Sequence, residues 1–251
     1  RRAAGSWRAL VDLFGPRVPV LLYHHIGSPT PGTSRKSLTV APAQFKRHIR
    51  WLHRRGYTAI TPAAWLAWRA AGTPLPKKPV MLTFDDGYAD LVEYALPVLH
   101  RHDFGAAAFV ITGRPGGLDT WEGLPVMTPD QIRRWRAQGF EIGGHSRSHP
   151  DLTVIGDAEM MDEVTGSKRD LFDMSLAPVS FAYPFGLYTD RVRHSAGNCH
   201  PLAFPCHEGL NDFHPHPLLM RRTIVPPCPT LVYVHCPPLF AWTPSSSARP
   251  A

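Results

Sequence analysis

Residues 79–87 read Pro-Val-Met-Leu-Thr-Phe-Asp-Asp-Gly, a buried-strand pattern that runs directly into two carboxylates and a glycine. An apolar run of this length, bounded by a turn, suits a strand covered on both faces. Helical patterns flank it, Pro62–Ala71 before and Asp90–His102 after. Toward the N-terminus lie a strand at Tyr57–Ile60 and a helix that follows Thr39 and Pro42. That helix sets Phe45, Ile49 and Leu52 on one face and ends at Gly56. A further apolar run, Val18–His24, reads as a strand. Toward the C-terminus come strands at Ala106–Ile111, Phe140–Ile142 and Val179–Ala182, with helices at Pro129–Gln138 and Asp157–Met174. Strands alternating with helices imply an α/β fold with a parallel sheet, closed or nearly closed into a barrel at 251 residues. After Asp190 prolines crowd in. Strands near Leu202–Pro205 and Thr223–Val225 are expected there, and no helix beyond Ala196. The expected organisation is a basic extension over 1–17, one domain over 18–225 and an irregular or disordered tail over 226–251.

Composition narrows the function classes. Hydrophobic residues at 43% and charged residues at 19% exclude charge-driven disorder for the bulk of the chain. No apolar run approaches the ~18 residues of a membrane span. The net charge of +7 is uneven: residues 1–55 carry +10 and the remainder −3. A basic flank can meet an anionic lipid surface, an anionic polymer or nucleic acid, or can simply be a solvated helix face. No nucleic-acid module accompanies it. Cys199, Cys206, Cys228 and Cys236 contain no Cys-x-x-Cys pair, which argues against a structural zinc site and leaves disulfides open. The chain starts Arg1-Arg2-Ala3, compatible with a leader or anchor already removed.

In parallel α/β folds the chemistry sits where strands end. Three polar clusters occupy that place: Tyr23-His24-His25, Asp85-Asp86-Gly87, and Gly143-Gly144-His145 through His149. Adjacent carboxylates repel unless a cation or proton is shared, so one aspartate can hold a metal while the other faces substrate. An Asp-Asp-Gly can equally cap a helix. His145 and His149 are four apart, a spacing that on a helical turn puts both imidazoles on one face. One Asp with two His gives three ligands and leaves positions open, as a catalytic rather than a structural zinc site requires. Alone, a His-x-x-x-His among 14 histidines is weak.

Taken together, Thr83-Phe84-Asp85-Asp86-Gly87, His145-Ser146-x-x-His149 and Tyr183-Pro184-Phe185-Gly186, in that order, resemble the polysaccharide deacetylase family. This is the carbohydrate esterase family 4 type, and the likeness covers roughly Val18–Val225. It implies a distorted (β/α) barrel and a metal-dependent hydrolase that removes N-acetyl groups from an N-acetylhexosamine polysaccharide outside the cytoplasm. Asp85 then falls on the catalytic base, and Asp86, His145 and His149 on the ligands of a divalent ion, zinc being expected. Such an ion would make water acidic enough to react at neutral pH, and Asp85 would take the proton of the water attacking the acetyl carbonyl. The resemblance places a backbone oxyanion donor at the N–H of Phe185, with Tyr183 in the same motif.

Two departures stand out. The late Leu-x-His motif that supplies the general acid in most members has only Leu231–His235 to match it. The early Leu22-Tyr23-His24-His25-Ile26 is similar instead to the circularly permuted poly-N-acetylglucosamine deacetylase branch, in which the acid precedes the aspartate pair. That favours His24 over His25 and His235, although a strand-end histidine can also just bind backbone. Ala182 stands where many members carry an arginine that orients the base, and Arg222 is the candidate replacement, a surface arginine being the alternative. Tyr88, Trp121 and Tyr188 are candidates to stack on sugar, or to pack in the core. Rival readings are a non-catalytic glycan-binding or assembly protein on the same scaffold, and a hydrolase of another ester or amide. The basic flank is expected to face membrane surface or cell wall. Oligomeric state is open.

Overall fold

A computed structural model describes residues 18–28, 36–114, 120–211 and 215–227. The basic extension 1–17, most of the tail, His235, Cys228 and Cys236 lie outside them.

Three helices start where the sequence offers a proline at the first turn, whose missing N–H costs nothing there. They are Pro42–Arg54, Pro62–Ala71 and Pro129–Ala137. Thr61 caps the second by accepting from Ala64 N–H at 3.3 Å, and Thr128 with Gln131 forms a reciprocal cap on the third.

Between the helices run the strands β1 (Val20–Tyr23), β4 (Thr58–Ile60), β5 (Pro79–Phe84), β6 (Ala107–Val110), β9 (Glu141–Gly144), β10 (Ser180–Ala182), β11 (Leu202–Phe204) and β12 (Thr223–Ile224). All pair in parallel, in the order β11-β10-β9-β6-β5-β1-β12, with β4 on the lower half of β5. The short pairs β2 (His25–Ile26) with β3 (Thr39–Val40), and β7 (Thr120–Trp121) with β8 (Leu124–Pro125), lie outside the main sheet. The sheet curls so far that the segment leading into β12 bonds β11 and the residues after it: Met220 N–H donates to Ala203 O at 3.1 Å and Arg222 N–H to His207 O at 3.0 Å. The result is the (β/α) barrel expected from the sequence.

Side chains alternate along each strand. Leu21, Tyr23, Val80, Leu82 and Phe84 face the helices and pack on Phe45, Ile49, Leu52 and Trp135. Val20, Met81, Ala107, Phe109, Ala182, Phe204 and Met220 fill the barrel.

Two expected helices differ, and a third helix runs further than expected. The segment Asp90–His102 is a wide π turn, Leu91–Ala95, followed by the helix Leu96–Arg101. Pro97 has no N–H to return to the preceding turn, and Leu96 N–H reaches back to Leu91 O. The helix expected over Asp157–Met174 is likewise split, Asp157–Met161 and Ser167–Asp173 flanking a π turn at Asp162–Gly166. A helix also runs over Asp190–Cys199, past Ala196, because His200 N–H still bonds Ala196 O at 2.8 Å before Pro201 stops it. Among the described residues no helix is long and apolar enough to cross a membrane, and Cys199 and Cys206 are free thiols.

Candidate active site

Strand alternation decides what enters the site. Val20 faces the barrel interior, so residue 24, one past the end of β1, continues that row; Met81 does the same for residue 85 after β5. In β9 Ile142 packs among the helices, which turns Gly143 inward, where a Cβ would strike the Phe109 ring at 2.5 Å. His145 follows on that inner row. Tyr23 is paired with Phe84, so His24 and Asp85 leave the sheet at one level. Alternation alone would send Asp86 outward. Its left-handed backbone, φ 69°, turns it back.

Asp86 Oδ1 lies 3.4 Å from His145 Nε2 and 3.6 Å from His149 Nε2. One ligand atom from each of these three buried residues falls within 4.8 Å of the others. The two rings meet edge to face at 4.7 Å. The expected helical turn is absent: residues 145–149 form an irregular loop, with Ser146 at φ 60° and His149 at φ 63°, and Ser146 Oγ accepts His149 N–H at 2.9 Å. Glu163, from the π turn, accepts from the Arg147 and Ser148 amides of this loop at 2.8 and 2.9 Å. His145 Nδ1 donates to Ala182 O at 2.8 Å, which fixes the ring with Nε2 turned toward Asp86. Asp86 Oδ2 is buried with no hydrogen-bond partner. A buried carboxylate with one oxygen facing two converging imidazole nitrogens and the other left unpartnered fits a divalent cation of the zinc type. Burial pushes the Asp86 carboxyl up, but the His145 hydrogen bond and the charges of His24, His145 and His149 hold it well below the ordinary carboxylate range.

Asp85 is 2% exposed. Arg222, wholly buried, grips it with two prongs, Nη1 to Oδ1 at 2.7 Å and Nη2 to Oδ2 at 2.8 Å. The guanidinium rises through the barrel with Phe109 and Phe204 at 5.8 Å, and its Nε donates to Pro205 O at 3.1 Å. Burial would raise the Asp85 carboxyl; Arg222 foremost, then His145 and His24, hold it down. Arg222 thus occupies the place beside Asp85 that Ala182 cannot fill.

The two early histidines part company. His24 is 8% exposed and close enough to lower the pKa of both aspartates. His25 points the other way, with Nε2 2.9 Å from Asp90 Oδ2, Nδ1 3.3 Å from Thr39 Oγ1, and Tyr88 edge-on at 5.7 Å.

Trp121 and Phe185 flank His149, with ring centres at 4.9 and 4.5 Å. Phe185 is 49% exposed and adopts φ 56°. Other expected contributors sit elsewhere. The Tyr183 ring is buried against Phe181 and Tyr188, and its hydroxyl donates to Leu218 O at 3.1 Å, so that side chain is core. Tyr88 packs with Leu124 and Val126. Tyr188 is half-buried between Tyr183 and His207. Asp90 and Glu163 were not singled out in the sequence. Asp90 sits four residues beyond Asp86 in the pattern Asp-Asp-Gly-Tyr-Ala-Asp, a weak signal; Glu163 carries none, because its direction depends on the π turn.

A family model described as polysaccharide deacetylase matches residues 72–200. The chain belongs to the polysaccharide deacetylase family. The matched span holds Asp85, Asp86, His145, His149 and Phe185, and leaves His24 and Arg222 outside. Within this family the chain is 29% identical over 182 residues to YxkH of Bacillus subtilis (strain 168), named as a polysaccharide deacetylase, covering 72% of this chain and 61% of that protein. It is 25% identical over 165 residues to a poly-beta-1,6-N-acetyl-D-glucosamine N-deacetylase of Staphylococcus aureus (strain MSSA476), covering 62% and 56%. The chain therefore spans about three fifths of the length of these relatives. Among solved structures, the Streptococcus pyogenes deacetylase PplD in complex with acetate superposes with a TM-score of 0.76 at 27% identity, over 84% of this chain and 93% of that one. The polysaccharide deacetylase barrel is thus the fold of this protein.

Proposed function

We propose that the protein is a metal-dependent hydrolase that removes N-acetyl groups from an N-acetylhexosamine polysaccharide outside the cytoplasm. The observation that carries this reading is the Asp86–His145–His149 group set beside the buried Asp85–Arg222 pair. The family supports a deacetylase, and the staphylococcal relative is named for an N-acetyl-D-glucosamine polymer.

Asp86, His145 and His149 would hold the ion, zinc by the chemistry of one carboxylate oxygen and two imidazole nitrogens. When bound, it supplies Lewis acidity toward a carbonyl oxygen and makes water acidic enough to attack at neutral pH. Asp85, kept ionised by Arg222, receives the proton of the attacking water on a carboxylate oxygen. Arg222 uses one lone pair on each oxygen and leaves the others available. The Phe185 N–H is the second donor to the acetyl oxygen as charge develops there. His24 protonates the departing amine nitrogen; His25, engaged by Asp90 and Thr39, does not. Trp121 and Phe185 wall the His149 side and shield the reacting groups from bulk water. Lys46, Arg47, Arg50 and Arg54, exposed on the helix Pro42–Arg54, would face an anionic membrane or cell-wall surface.

Acetate release from N-acetylglucosamine oligomers of differing linkage tests this reading. The expected result is release by the wild type, abolished by a chelator and lowered ~10²–10⁴-fold in Asp85→Asn. Equal release by both proteins would remove Asp85 as the base, and release indifferent to the chelator would remove the metal.

A further inference from the structure

The loop that carries both histidines is held in a conformation it would not adopt alone. Ser146 and His149 are left-handed without being glycine, and such backbones persist only where their surroundings over-determine them. On one side the loop is laced to backbone: Thr112 N–H bonds Ser146 O at 3.1 Å and Gly113 N–H bonds Arg147 O at 2.8 Å. On the other side one carboxylate gathers the loop's own amides. Glu163 Oε2 accepts Arg147 N–H at 2.8 Å and Ser148 N–H at 2.9 Å, while Oε1 accepts the Ser148 hydroxyl at 2.6 Å. Three bonds converge on one carboxylate, 8% exposed.

The π turn Asp162–Gly166 is what aims it, since one extra residue in the turn rotates Glu163 relative to a regular helix. Gly166 in the same turn makes room for the Arg147 stem: a Cβ there would sit 2.6 Å from Arg147 Cδ. The Arg147 guanidinium then ends on Asp162 at 2.9 Å and Asp170 at 3.0 Å.

We propose that Glu163 is a positioning residue for the metal, preforming the His145–His149 loop so that both imidazoles stand beside Asp86 before an ion binds. The proposal rests on the metal reading above. Glu163 touches neither ion nor substrate. It lowers the ordering that binding would otherwise demand, and partners of this kind commonly contribute ~10–100-fold to metal affinity.

The test is zinc affinity of the metal-free full chain, by competition with a chromophoric chelator at neutral pH. Glu163→Ala is expected to bind zinc ~10–100-fold more weakly than wild type. Glu163→Gln keeps a carbonyl oxygen for the two amides and is expected to restore affinity to within about threefold, a rescue that mere destabilisation would not predict. Glu163→Asp keeps the charge but draws it back by one methylene, and is expected to be weak. If the alanine variant does not fold, the order glutamine above aspartate decides. Alanine binding within about threefold of wild type, or aspartate above glutamine, overturns the proposal. A wild type that binds no zinc would instead overturn the metal reading, and with it this inference.

Discussion

A carboxylate 2% exposed would ordinarily take up a proton, and Asp85 escapes this chiefly through the two-pronged guanidinium of Arg222, with His145 and His24 adding to it. Removing one member of a buried pair strands the other, at a cost of about 3–5 kcal/mol. Arg222→Met is therefore expected to destabilise the protein by that order at neutral pH. Asp85 in the wild type lies below its unfolded value, so its contribution is complete above the ordinary carboxylate pKa of ~3.9 and fades as pH falls through the folded value. In the variant the carboxyl is raised and its charge is shed earlier. Urea unfolding at pH 7 and at ~4.5 should show the gap between the two proteins narrowing in acid; an unchanged gap would contradict the pairing. At this scale the sequence is informative where parity applies. Counting by twos from Val20 and Met81 selects His24 over His25 and sets Asp85 inward. The same count misplaces Asp86, whose positive φ no local pattern announces, and the Tyr183 motif conceals that the ring belongs to the core.

At the scale of elements, the end of the helix Asp190–Cys199 carries a group with a cost. His200 is 1% exposed, stacks on Phe181 at 5.5 Å, and neither ring nitrogen has a hydrogen-bond partner. Burial, with Lys168 nearby, pulls its pKa down to about 3. The unfolded chain binds this proton near pH 6.5 and the folded one does not, so stability falls as pH drops from about 6.5 toward 3. His200→Phe keeps a ring for the stack and removes the titration. From pH 7 to 4 the wild type is expected to lose about 3 kcal/mol more than the variant in urea unfolding; parallel losses would show that His200 is solvated. The helix Pro42–Arg54 makes a different prediction. Reversing Lys46, Arg47, Arg50 and Arg54 to glutamate should abolish salt-sensitive binding to anionic lipid vesicles, and unchanged binding would remove this helix as a surface contact. Helix starts were readable because proline and threonine mark them chemically. The π turns were not, since a wide turn differs from a regular one by a single hydrogen-bond register.

For the whole molecule, the alternation of strand and helix suffices to give a parallel barrel, and with it the edge where the chemistry gathers. What the sequence does not show is which contacts close the barrel. Arg222 reaches Asp85 across 137 positions because Met220 bonds Ala203 of β11 and the Arg222 N–H bonds His207 just beyond it, and no local signal reports a contact of that range. The barrel thereby sets the Asp85–Arg222 pair beside Asp86, His145 and His149, which follow β5 and β9. Crystals grown with zinc and measured across its absorption edge test this directly. The account predicts one strong anomalous peak among Asp86, His145 and His149, with bonds of ~2.0–2.2 Å. A peak seated elsewhere, or none at full zinc loading, would contradict it.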